Sequence, residues 1–245
     1  MGPVNRFTVG KRAGCDSRWR GGTLALEGLL GLAFYALLVA SMASVVWFFQ
    51  IRRTMIMRMR AVIGVLEDTL RPRDREYTLL GYLVGFRAVY KLDQPWATRA
   101  WILYTMPPGH ILFYLPVVLL QRRRDRLEVT LRLTAPLPGE AHIYDPRDRA
   151  IHRLVARDTA EARDRLRERQ VVIAGRSYTA LYSGEEALSK AERLAHELLA
   201  CGVDLRRVTL DDRRRALHVS LAPSLETLRE ALETLKRHAR RLAQR

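Results

Sequence analysis

The chain lacks the paired cysteines that disulfide scaffolds and structural zinc sites require. Its 245 residues include two cysteines, Cys15 and Cys201, which lie far apart in no paired spacing. A disulfide framework needs four or more cysteines, and a zinc ribbon needs cysteines in close pairs. The sequence therefore argues against both and favours a reducing compartment.

Amides and lysines are also scarce. Asn5 is the only asparagine, and it is not part of a glycosylation acceptor pattern. Lysine supplies four of the 42 basic residues, and arginine supplies the rest. Thermolabile amides are rare in proteins of hot-growing organisms. We therefore predict a thermophilic source, which concerns habitat and not function.

Recognisable catalytic motifs are missing as well. The sequence contains no G-x-S-x-G, H-E-x-x-H or C-x-x-C, and "GYLVGF" has neither the lysine nor the spacing of a phosphate-binding loop. The sequence thus favours a non-enzymatic role, predicts no catalytic residue and implies no cofactor.

What the chain does have is a long apolar run, "LLGLAFYALLVASMASVVWFF", over residues 29–49. As a helix these residues span about 32 Å, close to the hydrocarbon thickness of a bilayer. A cleavable signal would end near "ASMAS", but the run continues past it. A buried core helix is the alternative, although such helices seldom lack a polar face. We predict a transmembrane helix over residues 23–51, with an anchor formed by Leu29, Phe34, Leu38, Val45, Trp47 and Phe49.

Arginines flank this run on both sides. The formal net charge is +16, and residues 1–20 and 52–60 each carry a net charge of +4. Basic residues beside a span contact anionic headgroups, each contributing on the order of 1 kcal/mol. We predict a basic leader over residues 1–22 and headgroup contacts by Arg18, Arg20, Arg52, Arg53, Arg58 and Arg60.

The cell membrane is therefore the predicted location. Basic residues are nearly balanced across the span, so the orientation rests on the lack of disulfides, which favours a cytoplasmic C-terminal region.

Beyond the run, residues 52–71 show the period of an amphipathic helix. Its apolar seam is Ile56, Met59, Ile63, Leu66 and Leu70, with spacing of three and four. Two heptads are too few to establish a coiled coil. The seam is expected to pack on its own domain, and a parallel homodimer is the alternative.

Residues 72–146 read as a β-rich unit. The stretch "DRLEVTLRL" alternates strictly between apolar and polar residues, and "YTLLGYLVGFRAVYKL" predicts one bent or two short strands. Residues 101–120 carry no formal charge, but prolines divide them into pieces too short to cross lipid. We expect a strand to Met106, a turn and then a short buried or membrane-facing segment, with a re-entrant or second spanning element as the alternative.

Residues 147–245 read as an α+β unit. The pattern predicts a charged helix over residues 149–170, a strand pair or a bent strand, a helix with a Ser183–Glu186 capping box, a hairpin and a last helix capped by Ser224. This order resembles a ferredoxin-like plait. The predicted fold class is α+β, with one N-terminal transmembrane helix, a mostly β unit and a C-terminal ferredoxin-like (β-α-β-β-α) unit.

Two clusters carry the candidate chemistry. The segment "GEAHIYDPRDRAIH" offers a weak metal or acid/base site at Glu140, His142, Asp145 and His152, with a solvated strand end as the alternative. The segment "QRRRDR" offers arginine forks for nucleic-acid phosphates at Arg122, Arg123, Arg124 and Arg126.

The sequence alone therefore predicts a single-pass membrane protein with a cytoplasmic interaction or scaffold module and an unidentified protein partner. A membrane-tethered RNA- or ribosome-binding protein is the alternative. Nucleic acid is not favoured, because acids alternate with arginines over residues 147–169. A metal-dependent enzyme is the weaker third hypothesis.

Overall fold

The computed structural model describes residues 17–81, 84–107 and 125–244, with side chains from residue 28 onwards. The fold is α+β, as predicted, with a long apolar N-terminal helix and a large antiparallel sheet. The chain divides into two compact units, Met1–Phe49 and Gln50–Arg245.

Helix α1 is unusually long, with 54 residues over Ser17–Leu70, so it contributes residues to both units. In the part of the chain that the structure describes, α1 is the one helix long and apolar enough to cross a membrane. This judgement rests on length and composition over Gly28–Leu70. The most apolar 18-residue window of α1 is 0% buried.

The last five turns of α1 belong to the core of the second unit. The buried seam consists of Met55, Met59, Val62, Leu66 and Leu70. The buried seam is rotated slightly about the helix axis relative to the predicted seam. Ile56 and Ile63 of the predicted seam are only partly buried against the same cluster. The seam packs on its own domain, as expected. Whether the protein also forms a homodimer stays a prediction.

Polar contacts tie the end of α1 to two other elements. Arg75 and Tyr77 of the first strand both donate to the carboxylate of Glu67. Lys236 donates to the Thr69 carbonyl at 2.7 Å, across 167 residues of chain. The C-terminal end of α1 is therefore held between the edge of the sheet and the last helix.

Within the described residues, nine strands form one sheet in the order β1-β2-β3-β4-β9-β8-β5-β7-β6, and every neighbouring pair is antiparallel. The strand bounds are β1 Asp74–Leu80, β2 Gly85–Gln94, β3 Ala97–Thr105, β4 Arg126–Leu133, β5 Ala141–Tyr144, β6 Arg167–Ile173, β7 Arg176–Tyr182, β8 Asp204–Asp211 and β9 Ala216–Ala222.

The other helices in the described part of the chain lie on opposite faces of this sheet. They are α2 Arg149–Asp158, a 3-10 helix Ala160–Arg165, α3 Glu185–Ala200 and α4 Leu225–Ala243. The α1 seam, α3 and α4 share the main core with Ala141 and Ile143 of β5. Helix α2 packs instead on Tyr144 and Leu181 in a separate small cluster. Because successive strand residues point to opposite faces, α2 covers the face that α3 does not.

The helix predicted over residues 149–170 is wrong in its last part. Helix α2 ends at Asp158, and residues 167–170 begin strand β6. Every residue of β6 pairs with β7, from Arg167 opposite Tyr182 to Ile173 opposite Arg176. A hairpin partner thus overrides the local helical pattern, which carries no information about that partner.

The predicted capping box before α3 is also wrong. The N-cap is Gly184, and no side chain caps the helix. Ser183 Oγ instead accepts a hydrogen bond from Glu140 N at 2.9 Å and so joins two strand ends. Ser224 does occupy the N-cap of α4, although its side chain makes no capping hydrogen bond.

The sheet runs through both predicted C-terminal units. Strand β4 pairs with β9 over six residue pairs, from Leu127 opposite Leu221 to Arg132 opposite Ala216. The proposed boundary at residue 146 falls between β5 and α2, and the domain division stays a prediction. In the apolar stretch at 101–120, residues 101–105 end strand β3, and residues 108–120 lie outside the described part of the chain.

Candidate functional site

A polar cleft lies on the face of the sheet that carries α2. Four side chains from four adjacent strands form its floor, because Thr130 pairs with His218, His218 with Thr209, and Thr209 with His142. Directly opposed residues of antiparallel strands point to the same face. The cleft has a volume of about 230 Å³, and Glu161 and Ala162 of the 3-10 helix line one side.

A chain of hydrogen bonds runs along this floor. Arg207 Nε donates to Thr209 Oγ1 at 2.8 Å, Thr209 Oγ1 lies 3.2 Å from His142 Nδ1, and His142 Nε2 lies 2.9 Å from Glu140 Oε1. A guanidinium can only donate and a carboxylate can only accept. Every hydrogen bond in this row has a donor and an acceptor when the Thr209 hydroxyl donates to Nδ1 of His142 and the protonated Nε2 donates to Glu140. The His142 hydrogen bond is the main reason that the pKa of Glu140 is lowered.

Arg207 places a positive charge in the lining of the cleft. The residue is only 6% exposed, and its Nη1 donates to Asp158 Oδ2 at 3.0 Å. Burial lowers the pKa of Arg207, and the hydrogen bond and charge of Asp158 oppose that effect. Asp158 is the last residue of α2, so this ion pair also ties that helix to the sheet.

His218 is a neutral imidazole at ordinary pH. Its Nδ1 lies 2.8 Å from Thr130 Oγ1. Burial lowers the pKa of His218 to about 3, and the charges of Arg207 and Arg126 and the nearby His142 act in the same direction. Such an imidazole can exchange hydrogen bonds with a ligand, but it does not present a positive charge at neutral pH.

We expect folding stability to fall as the pH drops from about 6.5 towards 3. The unfolded chain protonates His218 near pH ~6.5, whereas the folded protein resists protonation until about pH 3, so the unfolded state binds more protons between these values. At pH 5 the loss is about 2 kcal/mol. Equilibrium unfolding of the detergent-solubilised chain, measured from pH 7 to 5, provides the test.

His218→Asn keeps a hydrogen-bonding group beside Thr130 and is expected to flatten this dependence. Burial also lowers the pKa of His238, which contributes in both proteins, so the informative quantity is the difference between variant and parent. The lowered pKa of Glu140 affects folding stability in a lower pH range. Its contribution to stability is present above pH ~4.5 and is lost below it. Equal pH slopes in variant and parent would show that His218 does not supply the effect.

The structure separates the four predicted metal-site residues. Glu140 and His142 meet in the cleft. Asp145 Oδ1 instead accepts a hydrogen bond from Arg147 N in the turn before α2. His152 lies exposed on α2, and its ring centroid is 5.9 Å from that of Tyr144. Within the described residues, no group of three histidine, cysteine or acidic residues could hold a metal ion.

The predicted membrane residues lie along α1. Trp47 is partly exposed, and the other five anchor side chains are exposed. Arg52, Arg53, Arg58 and Arg60 are exposed, whereas the side chains of Arg18 and Arg20 lie outside the described part.

Of the four arginines proposed for nucleic-acid contact, only Arg126 lies within the described residues. Its Nε donates a hydrogen bond to Ser220 Oγ, and its Nη2 lies 2.7 Å from Glu128 Oε1. The guanidinium is therefore already paired with a carboxylate of the same strand. Arg122, Arg123 and Arg124 lie outside the described residues.

Sequence reasoning missed four members of the cleft, namely Thr130, Arg207, Thr209 and His218. The β8–β9 hairpin was predicted, and its register alone places Thr209 opposite His218. The pairings of β4 with β9 and of β5 with β8 join segments distant in sequence, so no local signal could have added Thr130 or His142 to the same row.

No known family model matches the chain, and no curated protein matches it significantly.

Proposed function

We propose that the protein is a single-pass membrane protein whose α+β region acts at the cytoplasmic surface as an interaction or scaffold module. One observation carries this proposal, namely an apolar window of α1 that is 0% buried. Burying apolar surface is worth roughly 25 cal/mol per Å², so a side-chain array of this size favours lipid strongly over water. Soluble monomers rarely expose a contiguous apolar patch larger than a few hundred Å².

The buried core helix is the alternative that this observation disfavours. A core helix hides its apolar side chains within its own domain. The second half of α1 does so, because Val62, Leu66 and Leu70 are buried. Leu37 and Val39 are instead highly exposed. The contrast within one helix supports lipid as the solvent of the first half and protein as the environment of the second.

For the C-terminal part, we propose a variant of the ferredoxin-like plait over residues 141–211. Four strands in the spatial order β8-β5-β7-β6, joined by α2 and α3, support this assignment. The proposed variant differs from the plait in carrying α2 on the other face from α3, and β9 adds a fifth strand. This fold hosts many unrelated functions, so it does not identify the partner.

The scaffold role is supported by what the domain offers to a partner. Among the described strands β6 lies at one end of the sheet, where its Val172 side chain is 75% exposed, and the polar cleft opens on the α2 face. An edge strand presents unpaired backbone groups to which another chain can bind. The nucleic-acid alternative finds no support among its described residues, because Arg126 is paired with Glu128 rather than free to bind a phosphate.

Alkaline carbonate extraction of native membranes tests the anchor. We expect the full-length chain to stay with the membrane pellet, because carbonate removes proteins held by charge and leaves spanning helices in place. Release of the intact chain into the supernatant would refute the anchor.

Orientation is tested separately with Asp212→Cys in a chain whose two native cysteines carry Cys15→Ser and Cys201→Ser, so that the one thiol lies in the exposed turn between β8 and β9. A membrane-impermeant maleimide is expected to label it only after the cells are permeabilised. Labelling in intact cells would overturn the cytoplasmic assignment while leaving the anchor intact.

A further inference from the structure

An apolar groove separates the C-terminal half of α1 from the β1–β2 hairpin. Its volume is about 390 Å³, within the range of roughly 300–1,000 Å³ typical of ligand pockets. Ile56, Met59 and Ile63 line it from the helix, and Leu79 and Phe86 line it from the hairpin. All of these residues belong to the second compact unit.

The hairpin keeps this groove open. Leu79 pairs directly with Phe86, so both side chains point to the helix side of the sheet. Phe86 is fully buried at the floor, whereas Leu79 is 73% exposed at the rim. Gly81 and Gly85 line the end of the groove without side chains. Leu79 thus adds exposed apolar surface at the rim of an open apolar groove.

The charged residues that line the groove are positive. Arg52 and Arg60 line the groove four residues before and after Ile56, and therefore on the same side of α1. The described lining includes no carboxylate. Guanidinium groups bind phosphate oxygens as two-pronged donors. The groove thus combines an apolar wall with donors suited to an anion.

We propose that this groove binds an acyl chain of an anionic glycerophospholipid, with Arg52 and Arg60 attracting its headgroup phosphate. The proposal rests on the proposed membrane anchoring. Arg52 comes three residues after Phe49, the last residue of the apolar run, so a protein anchored there meets lipid next to the groove. A second protein copy is a poorer fit, because a stable interface needs about 20–30 residues a side and nine line the groove.

Photocrosslinking of the full chain tests this site. The protein is reconstituted in phosphatidylcholine vesicles that contain phosphatidylglycerol with a photoactivatable group on one acyl chain. Crosslinked peptides are mapped by mass spectrometry. We expect adducts on the α1 residues around Ile56 and on the β1–β2 hairpin, with unlabelled phosphatidylglycerol competing better than phosphatidylcholine.

Two pairs of variants make the test specific. Leu79→Glu places a carboxylate in the groove and should lower crosslinking by about tenfold, whereas Thr78→Glu, on the other face of the same edge strand, should not. The double variant Arg52→Ala with Arg60→Ala should lower the preference for phosphatidylglycerol. Its control, Arg53→Ala with Arg58→Ala, removes the same charge from the same helix. The loss of preference should be roughly tenfold larger in the first double variant than in the control.

The outcomes separate this proposal from the anchor. Carbonate release of the parent chain would remove the anchor and the lipid site together. A carbonate-resistant chain with no groove adducts, with equal competition by the two unlabelled lipids, or with groove residues crosslinked to another protein copy would overturn the lipid site alone. Circular dichroism of each variant confirms that a lost adduct does not reflect unfolding.

Discussion

Replacing Val39 and Met42 together by arginine is expected to abolish stable integration into the membrane. Both side chains are exposed near the middle of the apolar run. An arginine at the centre of a spanning helix costs about 2.5–3.5 kcal/mol on the insertion scale, so the pair costs about 5–7 kcal/mol. The eleven leucine, valine and phenylalanine residues of the run contribute about 3–7 kcal/mol in favour of insertion. The substitutions therefore cancel the driving force.

A matched control separates position from charge. Thr54→Arg with Met57→Arg adds the same two charges at the same spacing on the same helix, and both residues are exposed beyond the run. This control is expected to stay in the carbonate-resistant pellet, because arginines next to a span favour the headgroup region. Retention of the Val39 and Met42 variant in the pellet would mean that lipid does not surround these residues.

Gly85→Ala is expected to destabilise the second unit by at least about 3 kcal/mol, the second large effect. Gly85 begins β2 with φ of 150°, a conformation that residues with a side chain rarely adopt. A Cβ built there would lie 1.9 Å from the Tyr104 carbonyl oxygen of the neighbouring strand. Relief would require β2 and β3 to separate where Gly85 pairs with Thr105.

Denaturant unfolding of the full chain in detergent measures this loss, and Gly64→Ala provides the comparison. Gly64 lies in α1, where an added Cβ would meet no atom within 4 Å. Alanine in a helix is favoured over glycine by about 0.5–1 kcal/mol, so this variant should be slightly more stable. Equal stability of the two variants would show that the β2–β3 contact adapts to the added methyl group.

The elements that the sequence predicted well carry their information in local periodicity. Strand β4 follows from the strict alternation of Leu127, Val129 and Leu131 with polar residues, and all three side chains are buried. Helix α3 and the β8–β9 hairpin follow in the same way, from apolar spacing and from turn residues. These patterns require only that one face of each element be buried.

The failures came where a distant partner decides the structure. Residues 167–170 look helical by charge pattern but pair with β7, and Ser183 bonds Glu140 rather than capping α3. Glu140 and His142 were recognised as a polar pair. Their neighbours Thr209 and His218 entered the site only through sheet pairings that span many residues.

The sequence by itself determined the apolar run, its arginine flanks, the α+β class and most element positions, because length, charge and periodicity are local properties of the chain. Tertiary structure alone decided that one sheet joins the nine described strands, that α2 and α3 cover opposite faces, and that histidines 76 residues apart share one cleft. The physical reason is that strand order and register depend on backbone hydrogen bonds between segments distant in sequence, which no residue pattern within a segment specifies.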